Sequence, residues 1–448
     1  MPGGTAAAFQ KGSIYSSPST GAHITRGEAR AVWWARGGIS GPLGFPTADT
    51  SSVAGFGGVT GEMGRFSGGA TYWSKFTGGR AVTGPILTEF DAAGGSAALG
   101  FPIADQGPVT GGEALALQDA SIYWSPGTGA HVVRGEVRSA WWALGGISGW
   151  LGFPTADTAA ATGVAGVSGQ AGRFNFGALY WSSSTGARTM TGAVLTKFDA
   201  AGGSATLGFP IAHHGPVAGG EAVALQDASI YWSPGTGAHV VRGDVRANWW
   251  VRGGITGPLG FPTADTAAVT GLTGTRGQVG TFSRGAIYQS AATGGRVLSG
   301  DVLTAYQAAG GPGVLGFPVA DQGPVTGGQA AALQAGSIYW SAGTGAHVVR
   351  GEALFAYWGV GAITGVLGFP TADTTAVTGG GLTGTVTAFQ NGSIYATATT
   401  GARVVRAVVD GPYRTAGGPG SAYGWPTSSS YPFGGGFRND FQSGQITG

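Results

Sequence analysis

Leu151-Gly152-Phe153-Pro154 is the stretch that decides the fold, because the chain writes it again and again. The same tetrapeptide begins at Leu43, Leu99, Leu151, Leu207, Leu259, Leu315 and Leu367, and an altered copy runs Tyr423-Gly424-Trp425-Pro426. The steps alternate between 56 and 52 residues, so a pair of unlike modules, A and B, repeats every 108. A fixed period of this length marks a repeat architecture, in which each unit buries its apolar face only by stacking on a neighbour. The period marks out modules at 1–60, 61–112, 113–168, 169–220, 221–276, 277–328 and 329–384, a degenerate eighth at 385–434, and a capping fragment at 435–448.

Working outward from Leu151, the A module opens with Leu117-Gln118-Asp119-Ala120-Ser121-Ile122-Tyr123-Trp124-Ser125, rich in β-branched and aromatic residues. Pro126-Gly127-Thr128-Gly129 interrupts it, and Ala130-His131-Val132-Val133-Arg134 returns: a hairpin. Glu136 to Leu144 lacks glycine and proline, and Val137, Trp141 and Leu144 share one helical face. Gly145-Gly146 stops that helix. Leu151 and Phe153 are too apolar for a solvated loop, so each tetrapeptide phenylalanine is expected in a core, and Pro154 limits further pairing. The expected fold is therefore mainly β with one short helix per repeat. Phe9-Gln10-Lys11-Gly12-Ser13-Ile14 and Phe441-Gln442-Ser443-Gly444-Gln445-Ile446 write the same strand at both ends. That favours an open tandem array, a stalk, over a propeller-like ring closed by strand exchange.

Composition removes several classes of function. Glycine is 91 of 448 residues against an average of about 7%, but it recurs at matching positions, as turns do. Charged residues are 10% and net charge is +2, which leaves no electrostatic footprint for nucleic acid. With no cysteine, disulfides and thiolate chemistry are excluded. No apolar run of about 18 residues spans a membrane, and no signal peptide is visible after Met1. No nucleophile elbow, zinc-protease helix or Walker loop occurs, and no cofactor or metal is expected.

These motifs carry a resemblance. The tetrapeptides, the Thr-Ala-Asp that follows in A modules, the paired glycines before it and the Ile-Tyr-Trp-Ser…Thr-Gly-Ala-His hairpin resemble the LGFP repeat family over essentially the whole chain. The resemblance implies an extracellular, cell-wall-associated protein of the actinobacterial envelope, of a kind whose repeats form stalks holding a peptidoglycan–arabinogalactan polymer. The chain departs from many relatives in carrying no catalytic domain. Its implied partner is cell-wall polysaccharide or another glycan, bound multivalently and without catalysis, as a lectin binds. A ligand-free structural stalk and a cell-wall hydrolase are the alternatives.

Candidate ligand residues follow from the repeat. His23, His131, His239 and His347 occupy one hairpin position, and the B modules place Arg80, Arg188, Arg296 and Arg403 there. With Tyr123 and Asp157, His131 is expected to line a shallow polar pocket; the bland alternative is a side chain bonded to a local carbonyl or to that aspartate. Counting back from the tetrapeptide aligns Trp34, Trp142, Trp250 and Trp358 with Phe90, Phe198 and Tyr306, which reads as core. The same count leaves Trp33, Trp141 and Trp249 as half-exposed platforms for sugar rings, or as contacts to the neighbouring module. His213-His214 stands where sister modules have Asp-Gln and reads as drift.

Overall fold

The computed structural model describes residues 3–448. Nine small antiparallel sheets follow one another along the chain, each a meander of neighbouring strands. The third is typical, with strands Gly107–Val109, Gly112–Ala116, Ala120–Ser125 and Gly129–Arg134. The first (Thr5–Phe9, Gly12–Ser17, Gly21–Arg26) and the ninth (Tyr431–Phe433, Gly436–Phe441, Gly444–Thr447) have three strands. Among the described residues neither end sheet borrows a strand from the other, so the strand exchange that would close a ring is absent and the topology is that of an open tandem array. The chain divides into two compact units, Met1–Val217 with Glu221–Ile230, and Ala218–Gly220 with Tyr231–Gly448. A period sets spacing but not phase: residues 61 and 113 fall inside the strands Thr60–Phe66 and Gly112–Ala116.

Between successive sheets lies a helix of eight or nine residues, such as Gly27–Ala35, Gly84–Ala92 and Gly135–Ala143 in the first unit. Each core belongs to a junction rather than to one repeat. In the first unit, Tyr123 and Val133 of the third sheet, Val137 and Trp141 of the helix, Leu151 of the turn, and Phe174 and Leu179 of the fourth sheet form one buried cluster. In the second unit, Tyr395, Val405, Val409, Tyr413, Trp425 and Phe441 repeat it, with the ninth sheet supplying the far wall. Adjacent strand residues point to opposite faces. Ile122 therefore packs toward the preceding helix, while Tyr123 packs toward the following one.

The tetrapeptide turn ties each junction. Its leucines are at most 2% exposed. Leu43 reaches forward to Gly69, where an added Cβ would stand 2.9 Å from its methyl. Phe101 reaches back over Gly55 and Gly61, where an added Cβ would meet its ring at 2.3 and 2.5 Å. These glycines are small for close approach, not for turning. The turn glycine itself is left-handed, φ +72° at Gly152. The next N–H is taken by an amide side chain of the following sheet, Phe101 N by Gln118 Oε1 at 2.8 Å and Trp425 N by Gln442 Oε1 at 2.9 Å. That contact explains the Leu-Gln and Phe-Gln pairs at Gln118, Gln226, Gln334, Gln390 and Gln442; Asn175 makes the same bond in the fourth repeat.

The expectation that every tetrapeptide phenylalanine is buried needs correcting. Phe101, Phe209, Phe317 and Phe369 are buried, but Phe45, Phe153 and Phe261 are half-buried. Phe153 lies over Gly111 and Gly112 at the first hairpin of the third sheet, as Phe369 does over Gly327 and Gly328, where Phe369 is only just buried at 8% exposure, whereas Phe101 sits more tightly on Gly55 and Gly61. Leucine, not phenylalanine, is the uniform anchor. Leu151→Ala should therefore cost about 2–5 kcal/mol and Phe153→Ala distinctly less. Hydrogen exchange should show the Leu151→Ala loss in the third and fourth sheets while the ninth sheet stays protected; even loosening along the whole chain would refute nearest-neighbour coupling.

Candidate functional site

Two repeated constellations hold the residues that the sequence singles out. The first sits where the last strand of a sheet meets the loop after the tetrapeptide. Edge-strand N–H groups need acceptors, and two consecutive side chains after the tetrapeptide supply them. Asp157 Oδ1 accepts from Val132 N at 2.9 Å and Thr158 Oγ1 from Arg134 N at 3.2 Å. Asp49, Asp265, Asp321 and Asp373 repeat the first bond at 2.8–3.0 Å, and Ser429 Oγ substitutes at 3.1 Å. His131 Nε2 donates to Thr128 O at 2.8 Å, and its Nδ1 stands 3.5 Å from Asp157 Oδ1. His23, His239 and His347 repeat this, with His–Asp distances of 3.6, 3.6 and 3.2 Å.

The B-module arginines behave alike. Arg80 and Arg188 donate to the carbonyls of Gly79 and Ala187, and Arg296 donates to Thr293 O. Arg403 is half-buried at the equivalent place. The structure thus brings His131 and Asp157 together but leaves Tyr123 out. Tyr123 is buried against Trp141, 4.8 Å between ring centres, and burial pushes its phenol pKa up. The three-residue pocket is not formed, because the tyrosine turns into the junction core while the other two stay at the strand edge.

Glu89, from the helix Gly84–Ala92, is a neighbour the sequence did not announce. Burial raises its pKa, and the Asp157 carboxylate raises it further, with His131 opposing. A raised carboxyl favours the fold while protonated, and that contribution is lost as pH rises through the folded value. Glu89→Gln should therefore stabilise the chain at about pH 7 by less than about 1 kcal/mol, since the site is largely solvent-screened. Near pH 3.5 the variant and the parent should unfold alike; denaturant melts at both pH values decide it.

The second constellation is aromatic, and here the register from sequence is reversed. Trp33, Trp141 and Trp249 are fully buried, so they are not platforms. Trp34, Trp142, Trp250 and Trp358, expected in the core, are 42–52% exposed. The cause is one residue. Gly135, which opens the A helix, precedes Leu151 by 16 positions, whereas Gly84 precedes Leu99 by 15. The A connection is a 3-10 turn, Gly146–Ser148, with extra residues before the leucine, while the B connection is a short α-helix that ends on it, Gly95–Leu99. Counting back from the tetrapeptide therefore misplaces the helix by one residue, about 100° of rotation. The helical periodicity that put Trp141 beside Val137 was the better guide.

The inner aromatic stacks on the next sheet, Trp141 on Phe174 at 5.4 Å between ring centres. In four junctions its polar tip bonds the tetrapeptide turn, whereas Trp141 and Trp249 keep a buried N–H without a partner among the described residues. Trp33 Nε1 donates to Gly44 O at 3.0 Å, and the Tyr306 and Tyr357 hydroxyls bond Gly316 O and Gly368 O. The outer tryptophan lies on the glycine turn: an added Cβ at Gly146 would meet the Trp142 ring at 3.1 Å. It also meets Tyr123 edge-on at 6.2 Å. In B modules the same helical place holds Asp91 or Asp199. Arg65 and Arg173 pair with them in two parallel bonds, and the hydroxyls of Tyr72 and Tyr180 reach the same carboxylates at 3.2 Å. In the second module this group floors a cleft of about 510 Å³ whose other walls are Val53, Met63 and Gly94-Gly95.

Among the described residues no group of three or more histidine, aspartate or glutamate side chains converges as a metal site, and no helix is long and apolar enough to cross a membrane. The LGFP repeat profile matches residues 1–41, 43–97, 99–149, 151–205, 207–257, 259–313, 315–365 and 367–421. No curated protein sequence matches the chain. Similar solved structures include a virginiamycin B lyase from Staphylococcus aureus, 6% identical over 77% of this chain and 92% of that one, with a TM-score of 0.10. Another is an extracellular domain described as that of a one component system from B. thetaiotaomicron, 10% identical over 90% of this chain and 60% of that one, TM-score 0.12. At these scores the superpositions do not establish a shared fold.

Proposed function

The chain belongs to the LGFP repeat family, and from that premise we propose that it is a non-catalytic, multivalent binder of a cell-envelope carbohydrate polymer, acting outside the cell. The observation that carries the reading is the outer tryptophan, half-exposed at the same helical place in all four A modules. An exposed indole offers a large apolar surface to the C–H face of a sugar ring. Because the ring already rests on a glycine turn in the first three A modules, little side-chain freedom remains to be lost on binding. Each contact is weak by itself. Four on one scaffold gain strength only when a single polymer engages several at once, which suits peptidoglycan–arabinogalactan better than a free sugar.

A purely structural stalk is the second reading, and the strand-edge constellation favours it for the histidines. Their ring nitrogens face a hairpin carbonyl and an aspartate that itself holds a backbone N–H. Replacing Trp34, Trp142, Trp250 and Trp358 together by alanine should lower retention on isolated cell walls about tenfold or more, with the melting temperature little changed because these rings lie outside the core. Alanine at His23, His131, His239 and His347 should leave retention intact. Unchanged retention of the tryptophan variant would refute the platform assignment, and failure of the parent chain to bind walls at all would leave the stalk.

A further inference from the structure

The fourth repeat closes its strand edge with different chemistry. In six other repeats the first clasping acceptor is an aspartate or serine oxygen. Here His213 Nδ1 stands 3.3 Å from Thr189 N and 3.0 Å from Thr189 Oγ1. The second clasping residue in B modules is glutamine, whose Oε1 takes the N–H of Thr83 or Ser299. In the fourth repeat His214 fills that place, with Nδ1 2.9 Å from Thr191 Oγ1. The pair is therefore not drift: both imidazoles occupy the clasp, and His213 takes over its acceptor role. The helix before the clasp has changed in step. Arg36 and Arg252 reach Asp105 and Asp321 at 2.8 and 3.0 Å, and the same helix end before His213 carries the neutral Leu144.

An imidazole accepts through Nδ1 only while that nitrogen is unprotonated. A carboxylate keeps accepting until far lower pH, and a hydroxyl or amide oxygen does not titrate in this range at all. We propose that the fourth repeat is an acid-loosened joint, in which protonation of His213 removes one of the bonds that hold the edge strand Gly186–Met190 to the loop after Pro210, leaving the His214 N–H on Thr189 O, while the oxygen-based clasps of the other repeats are unchanged. This goes beyond carbohydrate binding and does not depend on it.

The charged groups around His213 set the direction. On the edge strand, Arg188 holds Ile211 O through Nε at 3.2 Å and places its guanidinium beside the ring. On the loop, His214 is adjacent. From the following sheet, Glu221 Oε2 stands 3.1 Å from His214 Nε2, a charge contact without hydrogen-bond alignment. The preceding helix ends at the uncharged Leu144. Glu221 thus stands against His214, and the charge beside His213 is the Arg188 guanidinium. Burial and Arg188 both hold its pKa below the ordinary histidine value. A histidine depressed in the fold contributes stability that is present above the unfolded value, about 6.5, and is lost as pH falls. Protonated His213 also turns an N–H toward the Thr189 N–H, leaving that donor without its acceptor.

Hydrogen exchange on the intact chain tests this. After correction for intrinsic rates, exchange of strand 186–190 should rise about fivefold between about pH 7.5 and about pH 5, the loss of one modest hydrogen bond. Strand 294–298, clasped by Asp321, should not change. His213→Asn, which keeps a neutral acceptor, should abolish the rise, as should His213→Asp combined with Leu144→Arg, which rebuilds the clasp of the sixth repeat. Equal protection of strand 186–190 in the parent at both pH values would overturn the joint. So would a rise that persists in both variants, which would assign the effect to groups other than His213.

Discussion

Everything in this array depends on one turn that must reach in two directions. Leucine enters the core ahead of it, phenylalanine lies back on the sheet behind it, and a left-handed glycine between them makes the reversal possible. Both contacts need the neighbouring sheets to present glycine, or alanine at Ala120 and Ala228, where a larger residue would put its side chain. The glycine content of the chain is thus a packing requirement spread over every junction. It also means that a repeat has no interior of its own. Half of each core comes from the next stretch of sequence, which is why the ninth sheet is needed to finish the eighth junction.

The alternation of modules becomes intelligible at the helices. Among the described residues, the eight helices of eight or nine residues all put an aromatic residue in the same buried place, from Trp33 and Phe90 to Tyr357 and Tyr413. The next residue is free to differ, and it does, as tryptophan in A modules and as aspartate or glutamine in the first three B modules. Against it stands the same buried hairpin tyrosine, met by an indole in one class and by a carboxylate–guanidinium pair in the other. One scaffold position thereby presents two surface chemistries in turn along the chain.

Period, hairpin, helix and stop glycines were legible because each is written in neighbouring residues, with strong local preferences and eight repetitions. The surface was harder. Trp141 and Trp142 are adjacent and identical in type, so only the helix phase tells core from solvent, and the tetrapeptide stood at a variable distance from the helix. Tyr123 and His131 stand opposite each other on paired strands, yet the tyrosine is buried against Trp141 while the histidine turns to Thr128 O and Asp157. The glycines beneath Phe101 looked like turn residues because close approach leaves no separate mark in sequence. His213 and His214 looked like drift until the acceptor geometry showed that imidazole nitrogen had replaced oxygen.

The clasped strands bear on a hazard that every such chain faces. A sheet edge with free N–H and C=O groups is a template for pairing with any other exposed strand, and nine separate sheets in one chain multiply the opportunity. Here the outgoing edge is spoken for by aspartate, threonine, serine, glutamine or histidine side chains. The incoming edge of the third, fifth and seventh sheets is a three-residue Gly-Pro-Val strand, too short and too poor in donors to recruit a partner. Side chains that resemble ligand-binding groups in sequence thus occupy edge N–H groups that another strand would otherwise be able to recruit.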